Sequence, residues 1–212
     1  MSTVELERVA ALRRQDEAAF AALVEAHHAS LVRVAKLYVR DHAVAEEVAQ
    51  ETWLAVMQGI DRFEGRSSLK TWIFRILTNT AKTRAEREGR TVPFSAVAEL
   101  DEEGATVEPE RFFGSGHRWA GHWAAYPERW ESVPDQRLQS DETCARIGEA
   151  IAALPPVQRE VITLRDVEGW SAEEVCRLLD LSEPNQRVLL HRARAKVRAA
   201  LDRYLADDAA AA

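Results

Sequence analysis

The sequence predicts an all-α protein: two small helical domains joined by an irregular segment. Three observations carry this. Proline is absent until Pro93 and glycine until Gly59, while Ala, Leu, Glu and Arg, all strong helix formers, dominate the first 90 residues. Helical periodicity fails over 91–142, where four of the seven prolines collect (Pro93, Pro109, Pro127, Pro134). Periodicity returns from 143. The expected division is an N-terminal helical domain over 1–90, a linker or insert over 91–142, a C-terminal domain over 143–207 and a frayed tail over 208–212.

Helices are expected near 3–13, 16–39, 42–60 and 68–88. Asp16 and Asp41 can cap the second and third by accepting orphan backbone N–H groups. Between the third and fourth, Gly65 permits a turn, and Ser67 or Ser68 caps the fourth helix. In the fourth, Leu69, Trp72, Ile73, Ile76 and Leu77 form an apolar stripe. Thr71, Arg75, Thr78, Asn79 and Lys82 are expected on the opposite, basic face. The insert is more than spacer, because Phe112, Phe113, Trp119, Trp123, Tyr126 and Trp130 cost free energy if left wet. After it, Ile147, Ile151 and Leu154 line one helix face, and Pro155-Pro156 breaks that helix and starts another. Gly169-Trp170 ends the next segment. Ser171-Ala-Glu-Glu174 reads as a capping box opening a short helix to Leu179. Asp180-Leu181 makes a tight turn, and Ser182 caps a last helix running to about Leu205.

Composition excludes several classes. Of 212 residues, 46% are hydrophobic and 30% charged, a globular balance. No apolar run approaches the ~18–20 residues of a membrane span. The stretch Met1–Arg14 carries Glu5 and Glu7 and lacks a signal-peptide core, so a cytoplasmic location is expected. Two cysteines, Cys144 and Cys176, cannot staple a chain this long, and inert packing is the better reading of both.

The net charge of −7 argues against a non-specific nucleic-acid coat, but it is unevenly spread. Residues 91–150 hold 5 Lys/Arg against 12 Asp/Glu, whereas Arg62–Arg90 has 8 bases against 3 acids and Asn185–Arg203 has 6 against 1. Taken singly, each basic patch is better explained by a solvated helix face. The pair of helices around Asp180 has the form of a helix-turn-helix, whose second helix enters a DNA major groove. Asn185, Gln186 and Arg187 stand at its N-terminal end and suit readout of adenine or guanine edges. His191, Arg192, Arg194, Lys196 and Arg198 follow, with Val188, Leu189, Ala193 and Val197 as the expected buried stripe. The Phe63–Ser68 turn beside the basic fourth helix suits a single-stranded backbone and an unstacked base. On the third helix Glu46, Glu47, Gln50 and Glu51 make an acidic side that would suit a basic protein partner, or only solubility.

Two blocks together resemble a known family. Asp41-His-Ala-Val-Ala-Glu-Glu-Val-Ala-Gln-Glu51-Thr-Trp-Leu54, then Arg62-Phe-Glu-Gly-Arg-Ser-Ser-Leu-Lys-Thr-Trp-Ile-Phe-Arg-Ile76, resembles the first domain of bacterial RNA polymerase sigma factors of the extracytoplasmic-function type. Leu154-Pro-Pro-Val-Gln-Arg-Glu-Val161, Leu164-Arg-Asp-Val-Glu-Gly169, Ser171-Ala-Glu-Glu-Val175 and His191-Arg-Ala-Arg-Ala-Lys-Val197 resemble their second, helix-turn-helix domain. The resemblance covers about two thirds of the chain, and the order of the two blocks is its most specific feature.

The resemblance implies roles. Glu47, Gln50 and Glu51 would dock on the clamp helices of the largest polymerase subunit. Phe63, Arg66, Ser67, Ser68, Lys70, Arg75, Asn79 and Lys82 would meet the non-template strand of the −10 element as it melts. Asn185, Gln186, Arg187, His191, Arg192 and Arg194 would face the −35 element as duplex. The acidic middle would thread toward the RNA exit channel. Partners would be core RNA polymerase, promoter DNA and, in some settings, an anti-sigma factor. No cofactor, metal, small-molecule substrate or membrane insertion is expected, and no enzymatic activity. The chain departs from the family in having Asp180 where Gly is usual, Val188-Leu189 where a Ser-Arg pair is frequent, and a longer middle. Within that middle, the stretch from Gly114 to Trp123 stays open between a docking patch for an anti-sigma factor and one for polymerase. A metal site of His117 and His122 with Cys144 lacks ligand spacing.

Two other classes compete. A one-component or effector-bound transcriptional regulator would use residues 1–142 as sensor and dimerisation domain, and would bind DNA without polymerase. An enzyme would need a nucleophile signature, metal-ligand pair or Gly-rich phosphate loop, none of which the sequence offers.

Overall fold

The computed structural model describes residues 3–87 and 141–211. Every regular element among them is helical: α1 Thr3–Arg13, α2 Glu17–Ala35, α3 His42–Gly59, α4 Leu69–Arg87, α5 Asp141–Ala152, α6 Pro156–Ile162, α7 Ala172–Leu179 and α8 Glu183–Ala211. A 3₁₀ turn, Ile60–Arg62, follows α3, and a π turn, Thr163–Val167, follows α6. The aromatics of the insert and the Gly114–Trp123 stretch lie outside the described residues. Two ends differ from expectation. α2 stops at Ala35, with tighter turns through Lys36–Val39. α8 continues past Leu205 to Ala211, as alanine, the strongest helix former, permits.

The chain divides into two compact units. The first is Met1–Val92 with Leu164–Glu183, and the second is Pro93–Thr163 with Pro184–Ala212. Residues 164–183 hold the first helix of the expected helix-turn-helix, and they lie in the unit of the N-terminal helices.

In the first unit the caps are those the residue types dictate. Asp16 accepts from Ala19 N at 2.9 Å, and Asp41 accepts from Ala43 N at 3.0 Å. Ser68 accepts from Thr71 N at 3.1 Å, so it is the serine that caps α4. α2, α3 and α4 pack around Leu23, Leu31, Val34, Val48, Val56, Ile73 and Leu77, all buried. Thr52 is buried too, and its hydroxyl donates to Val48 O at 2.7 Å, so no polar atom is stranded there. Phe20 meets Trp53 edge-on at 5.9 Å.

α4 is enclosed on a second side. Phe74 is fully buried and packs edge-to-face on Trp170 at 4.7 Å. Trp170 is placed by the turn after the π segment, where Gly169 takes φ +68° and Trp170 N donates to Leu164 O at 2.9 Å. Beside it Arg33 grips Glu168, donating from Nε at 2.6 Å and Nη2 at 3.3 Å. The Glu168 side chain is only 4% exposed, and an enclosed carboxylate needs such a partner. Thr71 and Thr78 are therefore buried, which corrects the expected polar face. Its open part narrows to Arg75, Asn79 and Lys82, at i, i+4 and i+7.

His27 lies under this layer, edge-on to Phe74 at 6.4 Å. Burial pushes its imidazole below the ordinary value, and the charges of Lys70 and Arg8 push the same way. The folded chain thus binds fewer protons at this site than the unfolded chain does. The contribution of His27 to stability is complete above its unfolded value near 6.5 and is lost as pH falls through the lowered folded value. Melting temperature is expected to decline from pH 7.5 to pH ~5, and less steeply in His27→Gln. Parallel profiles for the two proteins would refute the assignment.

In the second unit, Leu154 is buried in the turn between α5 and α6, Val157, Val161 and Ile162 on α6, and Leu189, Leu190, Ala193, Val197, Leu201 and Leu205 on α8. Arg146 of α5 stacks over Tyr204 of α8 at 5.5 Å.

Candidate nucleic-acid and polymerase interfaces

The loop between the 3₁₀ turn and α4 is built from opposed demands. Phe63 turns inward, 4% exposed, and rests on Trp72 at 5.1 Å. Gly65 then reverses the chain at φ +72°. Glu64 and Arg66 are exposed and pair at 2.6 Å, while Ser67 and Ser68 are half-buried. Of the eight residues expected at an opened strand, Arg66, Arg75, Asn79 and Lys82 are exposed. Lys82 Nζ lies 5.8 Å over the Tyr38 ring. Phe63 is closed off. Lys70 sits over the Trp170 ring at 4.1 Å and 4.0 Å from Glu174, and Arg75 donates to Arg177 O at 3.3 Å. Those two bases are thus already engaged by residues 170–177.

On α3, Glu47, Gln50 and Glu51 are exposed together. Arg84 of α4 binds Glu47 at 2.7 Å and lies 3.9 Å from Glu51. Glu46 points elsewhere: its carboxylate takes His28 at 3.0 Å and His42 at 3.6 Å. Trp53 Nε1 donates to the other ring nitrogen of His28 at 3.3 Å. Leu54 and Met57, 58% and 55% exposed, prolong the acidic stripe at the next two turns. Sequence reasoning passes over both. The available signal is their helical spacing from Glu47, Gln50 and Glu51, on a face where an apolar side chain has no internal reason to be.

The capping box of α7 is complete: Glu174 N donates to Ser171 Oγ at 3.2 Å, and Ser171 N donates to the Glu174 carboxylate at 2.9 Å. Burial pushes the Glu174 carboxyl up, but the Ser171 hydrogen bonds and the Lys70 charge outweigh it and hold it below the ordinary glutamate range. Asp180 closes the helix in the left-handed region at φ 56°, ψ 46°, which Asp tolerates, and Leu181 N returns to Cys176 O at 3.0 Å. Beyond this turn α8 begins. Asn185, Arg187, His191 and Arg194 are exposed and Arg192 is half-buried. Gln186 is buried, 4% exposed, with its Nε2 unpaired, and Val188 is 46% exposed. The buried stripe is therefore Gln186, Leu189, Leu190, Ala193 and Val197, not one that includes Val188. Gln186 stands off the exposed edge on which the sequence places it.

Among the described residues no three His, Cys, Asp or Glu side chains could together hold a metal ion. No described helix is long and apolar enough to cross a membrane. His117 and His122 fall outside the described residues. Cys144 is exposed and Cys176 half-buried, both as free thiols.

Comparison with known proteins agrees with this arrangement. Residues 23–91 match the family model of Sigma-70 region 2, and residues 144–197 match that of Sigma-70, region 4. The RNA polymerase sigma-H factor of Pseudomonas aeruginosa is 30% identical over 194 residues, covering 92% of each chain. The ECF RNA polymerase sigma-E factor of Escherichia coli K12 is 30% identical over 183 residues, 86% of each. Among solved structures, CnrH in complex with the cytosolic domain of CnrY shares the fold at a TM-score of 0.59 and 22% identity, over 93% of this chain and 97% of that one. The sigma factor RpoE in complex with the anti-sigma factor NepR from Bartonella quintana shares it at 0.55 and 22%, over 86% and 96%. The chain belongs to the RNA polymerase sigma factors, of the extracytoplasmic-function type. Members of this family associate with core polymerase and direct initiation at promoters; RNA synthesis belongs to the polymerase.

Proposed function

We propose that this sigma factor divides promoter recognition between two exposed cationic edges, each on its own helix. The N-terminal helical domain, 1–90, takes the −10 element as an opened strand. The helix-turn-helix domain, 143–207, takes the −35 element as duplex. The carrying observation is the exposed row Asn185, Arg187, His191 and Arg194 at the head of α8, just beyond a capped helix and a left-handed turn. Such a row suits base edges first and phosphates behind them. On the N-terminal side, Arg66, Asn79 and Lys82 offer the strand exposed donors, and Ser67 and Ser68 border them. Capture there exchanges the Lys70–Glu174 and Arg75–Arg177 contacts for phosphate, so both bases join the set on engagement. An unstacked base held beside them offsets a few kcal/mol of unpairing.

The acidic stripe Glu47, Gln50 and Glu51 is the polymerase-facing surface, and Leu54 and Met57 complete it. Replacing Leu54 and Met57 together by alanine is expected to weaken core polymerase binding by about tenfold. Because both side chains are already in water, melting temperature stays unchanged. Full-strength binding by the double variant would remove them from the interface. An anti-sigma factor is a further partner, by analogy with the two solved complexes. The chain itself acts in the cytoplasm and performs no covalent chemistry.

Run-off transcription with core polymerase, with and without the chain, tests the reading. Promoter-selective transcripts are expected only when the chain is added. Tight operator binding by the chain alone, with no effect on polymerase, would favour a one-component regulator instead.

A further inference from the structure

We propose that α1 is a positioning element for strand capture, acting through Arg13 and Glu5 on the loop between α3 and α4. The inference rests on the −10 reading above. It concerns residues that precede the matched region 2 segment, which begins at residue 23.

Glu5, Val9 and Leu12-Arg13 recur at i, i+4 and i+7/i+8, so they form one stripe along two turns of α1, about 12 Å long. Val9 and Leu12 are buried and fix the helix in place. The polar residues at the two ends of the stripe then reach the two ends of one loop. At its entry the Arg13 guanidinium donates through Nη2 to Phe63 O at 2.7 Å and through Nε to Ile60 O at 3.4 Å. These are the carbonyls that bracket the 3₁₀ turn. At its exit Glu5 Oε1 accepts from Leu69 N at 2.7 Å, the first amide of α4. That amide is one of the four a helix leaves unpaired, and a carboxylate there also faces the positive end of the helix.

The segment from Glu64 to Ser68 is thus clamped on both sides by a single helix. Phe63 is anchored on Trp72 at one end, and Ser68 caps α4 at the other. A loop ordered beforehand loses less conformational entropy when a strand docks on it. Arg13 and Glu5 are positioning residues: they act on backbone groups of the loop and need not touch DNA.

Charge alone predicts the opposite sign for one variant, which makes the test sharp. Removing an acid near a polyanion's site raises affinity if only long-range electrostatics matter. Positioning requires a loss. Holoenzyme assembled from core polymerase and the full chain is titrated with a labelled single-stranded oligonucleotide carrying the −10 element of a promoter found by run-off transcription. Glu5→Ala is expected to weaken binding about five- to tenfold. Glu5→Gln, whose amide oxygen still accepts from Leu69 N, stays within about twofold of the parent. Arg13→Ala falls like Glu5→Ala, and Arg13→Lys recovers part of the loss. Affinity for core polymerase is unchanged in all four, and amide exchange of residues 64–68 quickens in the two alanine variants only. Glu5→Ala binding the oligonucleotide as well as the parent, or better, overturns the proposal. So does a joint loss of strand and polymerase binding, which would make α1 a general brace. If the unmodified holoenzyme ignores the oligonucleotide, the −10 reading itself falls.

Discussion

Arg187→Ala is expected to cut promoter-selective transcription by about ten- to hundredfold, while Arg203→Ala stays within about twofold. Both side chains are exposed arginines on α8, so removing either changes net charge equally. Arg187 stands at the head of the helix in the row with Asn185, His191 and Arg194. Arg203 is sixteen residues further on, with Nε donating to Ala199 O at 3.2 Å in its own helix. A guanidinium paired with guanine across the groove discriminates by about 1–3 kcal/mol per base, and one beyond the groove discriminates nothing. Transcription from matched and mutated −35 sequences separates the two cases. Equal losses for both variants would mean that α8 contributes charge and not readout.

The largest effect on stability is expected at Phe74. Its ring is wholly enclosed and joins the N-terminal helices to Trp170, with His27 also edge-on to it. Phe74→Ala removes the ring and leaves a void lined by rigid neighbours, a loss of about 3–5 kcal/mol. For a domain whose whole stability is ~5–15 kcal/mol, that lowers the melting midpoint by roughly 15 °C or more. Phe74→Leu refills most of the space and costs much less. A change below about 1 kcal/mol for Phe74→Ala in urea titration would contradict the packing described for α4.

Much of this arrangement is legible in the residues, and the exceptions share a cause. Asp16, Asp41, Ser68, Ser171 with Glu174, and Asp180 each act on a backbone group within a few positions, so their roles follow from local spacing. The second buried side of α4 depends on Trp170, 96 positions away in the chain. No helical periodicity encodes a neighbour that distant, so the pattern of α4 alone leaves Thr71 and Thr78 facing water. On α8 the ambiguity is angular. Val188, Leu189 and Leu190 are consecutive apolar residues, and at about 100° apiece they cannot all face inward. The stripe turns in by one step, taking Gln186 with it and leaving Val188 outside. Glu5 and Arg13 look like ordinary helix-surface charges because their partners lie 64 and 47–50 positions on.

On the proposed docking of the α3 stripe against polymerase, the Arg84 bridge to Glu47 and Glu51 has a consequence for assembly. Those carboxylates are not bare, so a basic clamp helix docking there would take the place of the Arg84 guanidinium. One contact is exchanged for another and little attraction is created from nothing. The surplus on such docking would then fall to the uncharged end of the stripe, where Leu54 and Met57 would leave water. Assembly governed by such a swap tolerates rising ionic strength better than a row of acids would suggest.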